Sequence, residues 1–267
     1  MTRPPDPTLD VYGVELLGAP AAGPGDWREQ PVTFHAAAED AGAHVGVVAT
    51  AVAALPESRS NVAVTGVSLR LEETIPTGEP VLLRTRRTVG GHHDAEIQLH
   101  DRTVAEGEVE VAGHDPAPRI QDLVELVALP FGEDALPDHR CDVFEASVGL
   151  HRPATYRTGD AAALPWVVED LFDDGHGRAH PMAFAFLECI GRLAADIPPG
   201  AATRAVHLRF FAHAPVLEPI RVVAREDEVV ADDVWQARAA AIDEEEVVYA
   251  MAAIEARRVR PTSHDSV

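Results

Sequence analysis

The two halves of this 267-residue chain repeat each other at a fixed offset of 139 positions. Shifted by that amount, and without a gap, Val206 falls on Val67, Leu208 on Leu69 and Arg209 on Arg70. Pro215, Glu218, Pro219, Arg225 and Asp233 then fall on Pro76, Glu79, Pro80, Arg86 and Asp94, giving eight identities in 28 positions. A repeat of this length constrains the fold before any other feature does, because one supersecondary unit must be used twice. The same shift lays the apolar stretch 180–197 over 41–58.

The stretch 180–197 predicts a helix. Pro181 suits its first turn, where the missing N–H costs nothing. Met182, Phe186, Leu187, Ile190, Leu193, Ala194 and Ile197 recur at helical spacing, and Ala183, Phe184 and Ala185 fill much of the other face. A helix that apolar must be surrounded rather than docked on one side. Pro198-Pro199-Gly200 ends it. Within it stand one carboxylate, Glu188, and one thiol, Cys189. In the first copy His44–Leu55 predicts the corresponding helix, bounded by Pro56, and Ala49 takes the place of Glu188. One acidic site per chain is therefore expected.

Strands follow each helix. Val62, Val64, Val67, Leu69 and Leu71 alternate with polar residues over Asn61–Leu71, with a slip at Gly66 that predicts a bulge. A turn at 75–80 leads to Val81–Arg87, a turn at Gly90–Asp94 leads to Ala95–His100, and Val104–Val111 completes a meander. The second copy predicts strands at 203–211, 220–225, 233–242 and 246–258. Residues 1–30 read as an irregular lead-in anchored by Trp27, and 31–40 as a short helical or turn segment. Residues 113–140 read as a crossover linker with an apolar stretch at Ile120–Leu129, Cys141–Leu150 as a strand, and 151–179 as ill-defined. The tail from Arg260 is polar and frayed. The expected division is a first unit over 1–112, a linker over 113–140 and a second unit over 141–267, in an α+β class.

The formal charge of −22 argues against nucleic acid and anionic membrane surfaces as partners. Because all the positive charge is carried by arginine, an anionic ligand would need a local arginine cluster. No run of about 18 apolar residues exists, so no membrane span is expected, and the polar start Met-Thr-Arg-Pro-Pro-Asp-Pro predicts a cytoplasmic protein. Cys141 and Cys189 predict two free thiols rather than a disulfide framework. Cys189 reads as a small buried hydrophobe, because an apolar helix does not favour a thiolate. No spacing among the 13 histidines, His92-His93 and His176 included, matches a metal motif, so no metal is expected.

A helix followed by a four-strand meander, used twice, resembles the hotdog fold, in which an antiparallel sheet wraps a central helix. Val67–Arg87, a strand, Pro-x-Gly-Glu-Pro and a strand, is similar to the corresponding hairpin. The likeness covers roughly 25–112 and 141–258 and implies a double hotdog, an antiparallel sheet and helix in each half. Among double hotdogs the chain resembles the acyl-CoA thioesterase II type. Leu187-Glu188-Cys189 stands where that family has its helix Asp, and Ala202-Thr203-Arg204-Ala205-Val206-His207, followed by Phe210-Phe211, matches its Ala-Thr-x-x-x-His strand. The family's Gln near the end of the last strand has no counterpart in Met251–Arg257.

The resemblance implies hydrolysis of an acyl-CoA or acyl-carrier thioester, a small-molecule substrate, without a cofactor. It allows a homo-oligomer through the hotdog sheets. Such a hydrolase needs a carboxylate to deprotonate water, a partner to hold it and dipoles for the oxyanion. Glu188 and Thr203 are the candidate catalytic residues; His180, His44, Gly46 and His207 are candidates for lining the substrate site. The alternative for Glu188 is a solvated helix edge or an i+4 pair with Arg192. The chain also resembles, more distantly, the enoyl-CoA hydratase hotdogs of the MaoC type. Thr158-Gly159-Asp160 precedes His180 here, but the Asn-Pro and catalytic His of that motif are missing and only Asp160 would remain. A third reading is a non-catalytic acyl-thioester-binding protein.

Overall fold

A computed structural model describes residues 13–35, 42–57, 63–112, 136–137, 156–158, 161–167, 184–185, 187–198, 200–211, 214, 219–226, 233–243 and 247–258. Among these residues it has two α-helices and one antiparallel sheet of 14 strands. The first run of elements is β1 (Val14–Leu16), β2 (Ala21–Ala22), β3 (Arg28–Phe34), α1 (Val45–Glu57), β4 (Ala63–Leu71), β5 (Pro80–Arg87), β6 (His92–Leu99) and β7 (Arg102–Ala112). The second is β8 (Leu136–Pro137), β9 (Tyr156–Thr158), β10 (Ala161–Val167), α2 (Leu187–Ala194), β11 (Ala201–Phe210), β12 (Pro219–Glu226), β13 (Val234–Ile242) and β14 (Val248–Arg258).

The strand order is β1-β3-β5-β6-β7-β4-β11-β14-β13-β12-β10-β9-β8, with β2 beside β3. Each helix is thus followed by four strands whose first member closes against the last: β4 pairs β7, and β11 pairs β14. The two runs meet where β4 pairs β11, in a register that sets Ser68 opposite His207 and Leu69 opposite Val206. Of the stretch read as alternating, Ala63–Leu71 is β4 with Val64, Val67, Leu69 and Leu71 buried, and the register of β4 on β7 slips between Val64 and Gly66, at the expected bulge.

The helices lie against one face of this sheet. Helix α1 packs chiefly on β4 and β5, and α2 on β12, β13, β14 and β10. Val47, Val48, Ala49, Val52 and Ala53 of α1 are all at most 2% exposed, so this helix is enclosed on every side. Full burial explains a sequence with no polar face.

Several expectations are corrected. Residues 28–34, expected partly as lead-in and partly as a helical or turn segment, form β3, because Val32 and Phe34 enter the core and Pro31 falls between the residues that pair with β1 and those that pair with β2. His92, His93 and Asp94 belong to strand β6 rather than to the turn, which is confined to Val89–Gly91. Pro56 lies inside the last turn of α1 instead of bounding it; near a helix end a proline removes one hydrogen bond without breaking the rod. The helix expected over 180–197 is described only as Leu187–Ala194, with Phe184 in a 3₁₀ turn and Ala185 in a turn before it. Residues 161–167, expected as ill-defined, form β10. The expected strand at 141–150, the helical stretch 120–129 of the linker, and the tail from 260 lie outside the described residues.

Trp27 is an anchor, as expected. It is 8% exposed, and the guanidinium groups of Arg84 and Arg86 lie 4.6 and 4.8 Å from its ring centroid. No described helix is long and apolar enough to cross a membrane.

Candidate active site

The starts of the two helices converge. Gly46, in the first turn of α1, lies so close to the chain before α2 that a Cβ at its position would be 2.0 Å from the carbonyl oxygen of Ala185. Only a residue without a side chain allows that approach. The contact brings the first turn of α2, which holds Glu188, against the first turn of α1.

Glu188 is 1% exposed. The solvated helix edge is therefore excluded, and the carboxylate is held by named donors instead. The Thr203 hydroxyl donates to Glu188 Oε1 at 2.5 Å, and the Gly46 N–H donates to Glu188 Oε2 at 3.4 Å. Arg192 Nη1 donates to Thr203 Oγ1 at 2.8 Å, and Arg192 Nη2 to the Ala201 carbonyl at 2.9 Å. The guanidinium thus polarises the hydroxyl whose proton is given to the carboxylate, a chain in which each donor strengthens the next. A negative group in the first turn of a helix also meets the positive end of the helix dipole. These contacts make burial of a carboxylate tolerable.

His44 precedes α1 and is 4% exposed. Its Nδ1 lies 3.9 Å from Glu188 Oε2 and 3.3 Å from the sulfur of Cys189. Cys189 is half-buried rather than enclosed. Of the residues singled out from sequence, Glu188, Thr203, His44 and Gly46 therefore come together in one buried cluster between the helix starts. His180, Gly159 and Asp160 lie outside the described residues.

His207 does not join them. Val206, Leu208 and Phe210 enter the core, so by strand alternation His207 faces the opposite side of β11. Its Nδ1 is hydrogen-bonded to Ser68 Oγ across the β4–β11 pairing. It borders an open depression of about 460 Å³ that also takes in Arg70, Gln236, Arg238 and Glu255. Burial lowers the pKa of His207; the nearby Glu110 charge opposes this, and Arg209 adds to it.

Sequence reading passed over two members of the cleft. Arg192 was visible only as an i+4 neighbour of Glu188, whereas its task is to hold Thr203. Cys189 reads as a core hydrophobe from its apolar helix alone, and the imidazole that neighbours it is 145 positions away.

No protein-family model matches the chain, and no curated protein matches its sequence. Solved structures do match. A tesB protein from Mycobacterium avium subspecies paratuberculosis superposes with a TM-score of 0.66 at 12% identity, over 95% of this chain and 98% of the other. A conserved protein of unknown function with a hot dog fold, from Alicyclobacillus acidocaldarius, gives 0.66 at 11% identity over 98% and 100%. The fold is a hotdog. An acyl-CoA thioesterase II, TesB2, from Mycobacterium marinum shares the hotdog with a TM-score of 0.57 at 11% identity, over 97% and 99% of the two chains. Dehydratase hotdogs are similar too, including the CurJ domain at a TM-score of 0.63 and 9% identity, over 92% and 97%. Identities this low establish a common fold and leave the chemistry to be argued from the site.

Proposed function

We propose that this chain is a double hotdog that hydrolyses acyl thioesters, acyl-CoA or carrier-bound, at the cleft between the starts of α1 and α2. The observation that carries the reading is the buried hydrogen bond from Thr203 to Glu188, itself backed by Arg192. It fixes one carboxylate oxygen and leaves Oε2 directed toward the start of α1, where Gly46 lies. The naming of similar solved structures as thioesterases supports the same class of reaction. The duplicated architecture is supported by the β4–β11 register: Ser68 and His207 are equivalent under the shift of 139 and stand opposite one another.

In this reading Glu188 Oε2 takes a proton from a water molecule as the water oxygen attacks the thioester carbonyl carbon. The tetrahedral oxyanion lies against the N–H groups of Val45 and Val47, which as first-turn residues of a helix have no intrahelical acceptor, while the Gly46 N–H stays on Glu188 Oε2. The carbon–sulfur bond then breaks, and the proton held by Glu188 passes to the departing thiolate. Thr203 and Arg192 keep the carboxylate oriented through both transfers. General acid–base catalysis of this type contributes about 10²- to 10⁴-fold.

The test is a panel of acyl-CoAs of increasing chain length, followed by thiol release, alongside an enoyl-CoA absorbance assay. Thiol release that collapses in Glu188→Ala supports the hydrolase. Loss of enoyl absorbance without thiol release would favour the hydratase reading suggested by the dehydratase neighbours. Saturable binding with neither reaction would make the chain a non-catalytic acyl-thioester binder.

A further inference from the structure

We propose that His44, Glu188 and Cys189 form a binding site for a thiophilic divalent cation of the zinc type. The three offer one imidazole nitrogen, one carboxylate oxygen and one sulfur, and these ligand atoms all lie within 4.8 Å of one another. Nδ1 of His44 is 3.3 Å from Cys189 Sγ and 3.9 Å from Glu188 Oε2. A tetrahedral zinc with metal–ligand bonds of about 2.0–2.3 Å separates its ligand atoms by roughly 3.3–3.7 Å. The two imidazole separations, 3.3 and 3.9 Å, lie at the lower end of that range and just above it, and the carboxylate and sulfur are within 4.8 Å, so a cation seats between the three once side-chain rotation draws the ligand atoms together.

The chemistry of the set agrees with the spacing. Sulfur and imidazole select zinc-like ions over magnesium or calcium, which require oxygen cages. Binding expels the thiol proton of Cys189 to solvent. Thiolate and carboxylate then neutralise the dication, so the buried site carries no net charge. The other carboxylate oxygen, Oε1, is already oriented by Thr203, which is the outer hydrogen bond that metal-binding carboxylates require. His44 and Glu188 are buried, whereas Cys189 is half-buried and gives the ion a way in. Three protein ligands leave a fourth position open. No sequence spacing announces this site, because His44 comes from the start of one helix and the other two ligands from the start of the next, 144 and 145 positions on.

Binding stands independently of catalysis. One consequence rests on the hydrolase reading: the cation occupies Glu188 Oε2, the oxygen that activates water, so occupancy suppresses thioester hydrolysis and chelation restores it.

The experiment titrates the full chain, freed of metal by chelation, with Co²⁺. The expected result is a thiolate-to-cobalt charge-transfer band in the near ultraviolet and tetrahedral visible absorption, saturating at one ion per chain and abolished by Zn²⁺. Cys189→Ser loses the near-ultraviolet band, Cys141→Ser keeps it, and His44→Gln binds at least about tenfold more weakly. In the wild-type protein Zn²⁺ protects Cys189 from iodoacetamide, read by mass spectrometry, so the site is tested even if a variant fails to fold. Absence of the band and of protection in folded wild type overturns the site, as does a band that survives in folded Cys189→Ser. Zinc binding that leaves thiol release unchanged confirms the site and overturns the role of Glu188 in hydrolysis.

Discussion

Replacing Gly46 with alanine tests the convergence on which the cleft depends. The added Cβ would lie 2.0 Å from the Ala185 carbonyl oxygen and 3.1 Å from both the Ala185 carbonyl carbon and Glu188 Cβ. The first contact is with backbone, which cannot rotate away, so the start of α2 must move. Overpacking of this kind costs about 1–3 kcal/mol. Against it stands the helix propensity gained on going from glycine to alanine, at most about 1 kcal/mol. The strain wins, and a net loss of about 1–2 kcal/mol is expected. For a chain of this size that lowers the melting temperature by about 2–4 °C. The larger effect is on the site, because the displaced group is Glu188 itself; a misplacement of about 1 Å costs up to 10²-fold in rate. Calorimetry and thiol release measure the two effects. Gly78→Ala is the control: its φ of +76° strains an alanine, but the new Cβ meets nothing. It should lose about 1–2 kcal/mol while keeping its activity. A Gly46→Ala protein that melts with the wild type and turns over at the same rate would refute the close approach of the two helices.

Other outcomes follow from the same contacts. Thr203→Val leaves a buried carboxylate oxygen without its donor, at a cost of about 1–3 kcal/mol, and lowers kcat more than it raises KM; Thr203→Ser restores both, as steady-state kinetics and urea denaturation would show. Arg192→Met removes the donor to Thr203 and the Ala201 carbonyl, and kcat should fall with little change in fold by circular dichroism. Burial lowers the pKa of both His207 and His93. The unfolded chain, with histidines near 6.5, then binds protons before the folded one does. The stability these groups contribute is present above about pH 6.5 and is lost as the pH falls through their lowered folded values. The urea midpoint should therefore drop on acidification, and less so in His207→Gln; an equal drop in that variant would remove His207 from the account.

The strands of both halves were legible because their alternation survives in sequence and the offset of 139 lets each copy check the other. Strand β3 was not, because Arg28-Glu29-Gln30-Pro31 carries charge and a proline, tolerated here between the stretches that pair with β2 and β1. Strand β10 was hidden by alanines and Pro165, which carry little periodic signal. At the site, a single carboxylate in an apolar helix could be picked out from its type and place, whereas Thr203 came with the resemblance of Ala202–His207 to the thioesterase II strand. The hold of Arg192 on Thr203 could not, since it depends on how α2 packs against β11, and neither could the meeting of His44 with Glu188 and Cys189, which depends on how two helix starts pack across 142–145 positions of chain. His207 followed the strand motif but faces the other side of the sheet, where alternation, once the register is known, places it.

The central claim is that water held by Glu188 attacks the thioester directly. A single turnover in heavy-oxygen water, with enzyme in excess over acyl-CoA, tests it by mass spectrometry of both the released acid and the peptide that carries Glu188. The account expects the heavy oxygen in the acid and none in the Glu188 carboxylate. Label in the Glu188 peptide, or unlabelled acid, would contradict it.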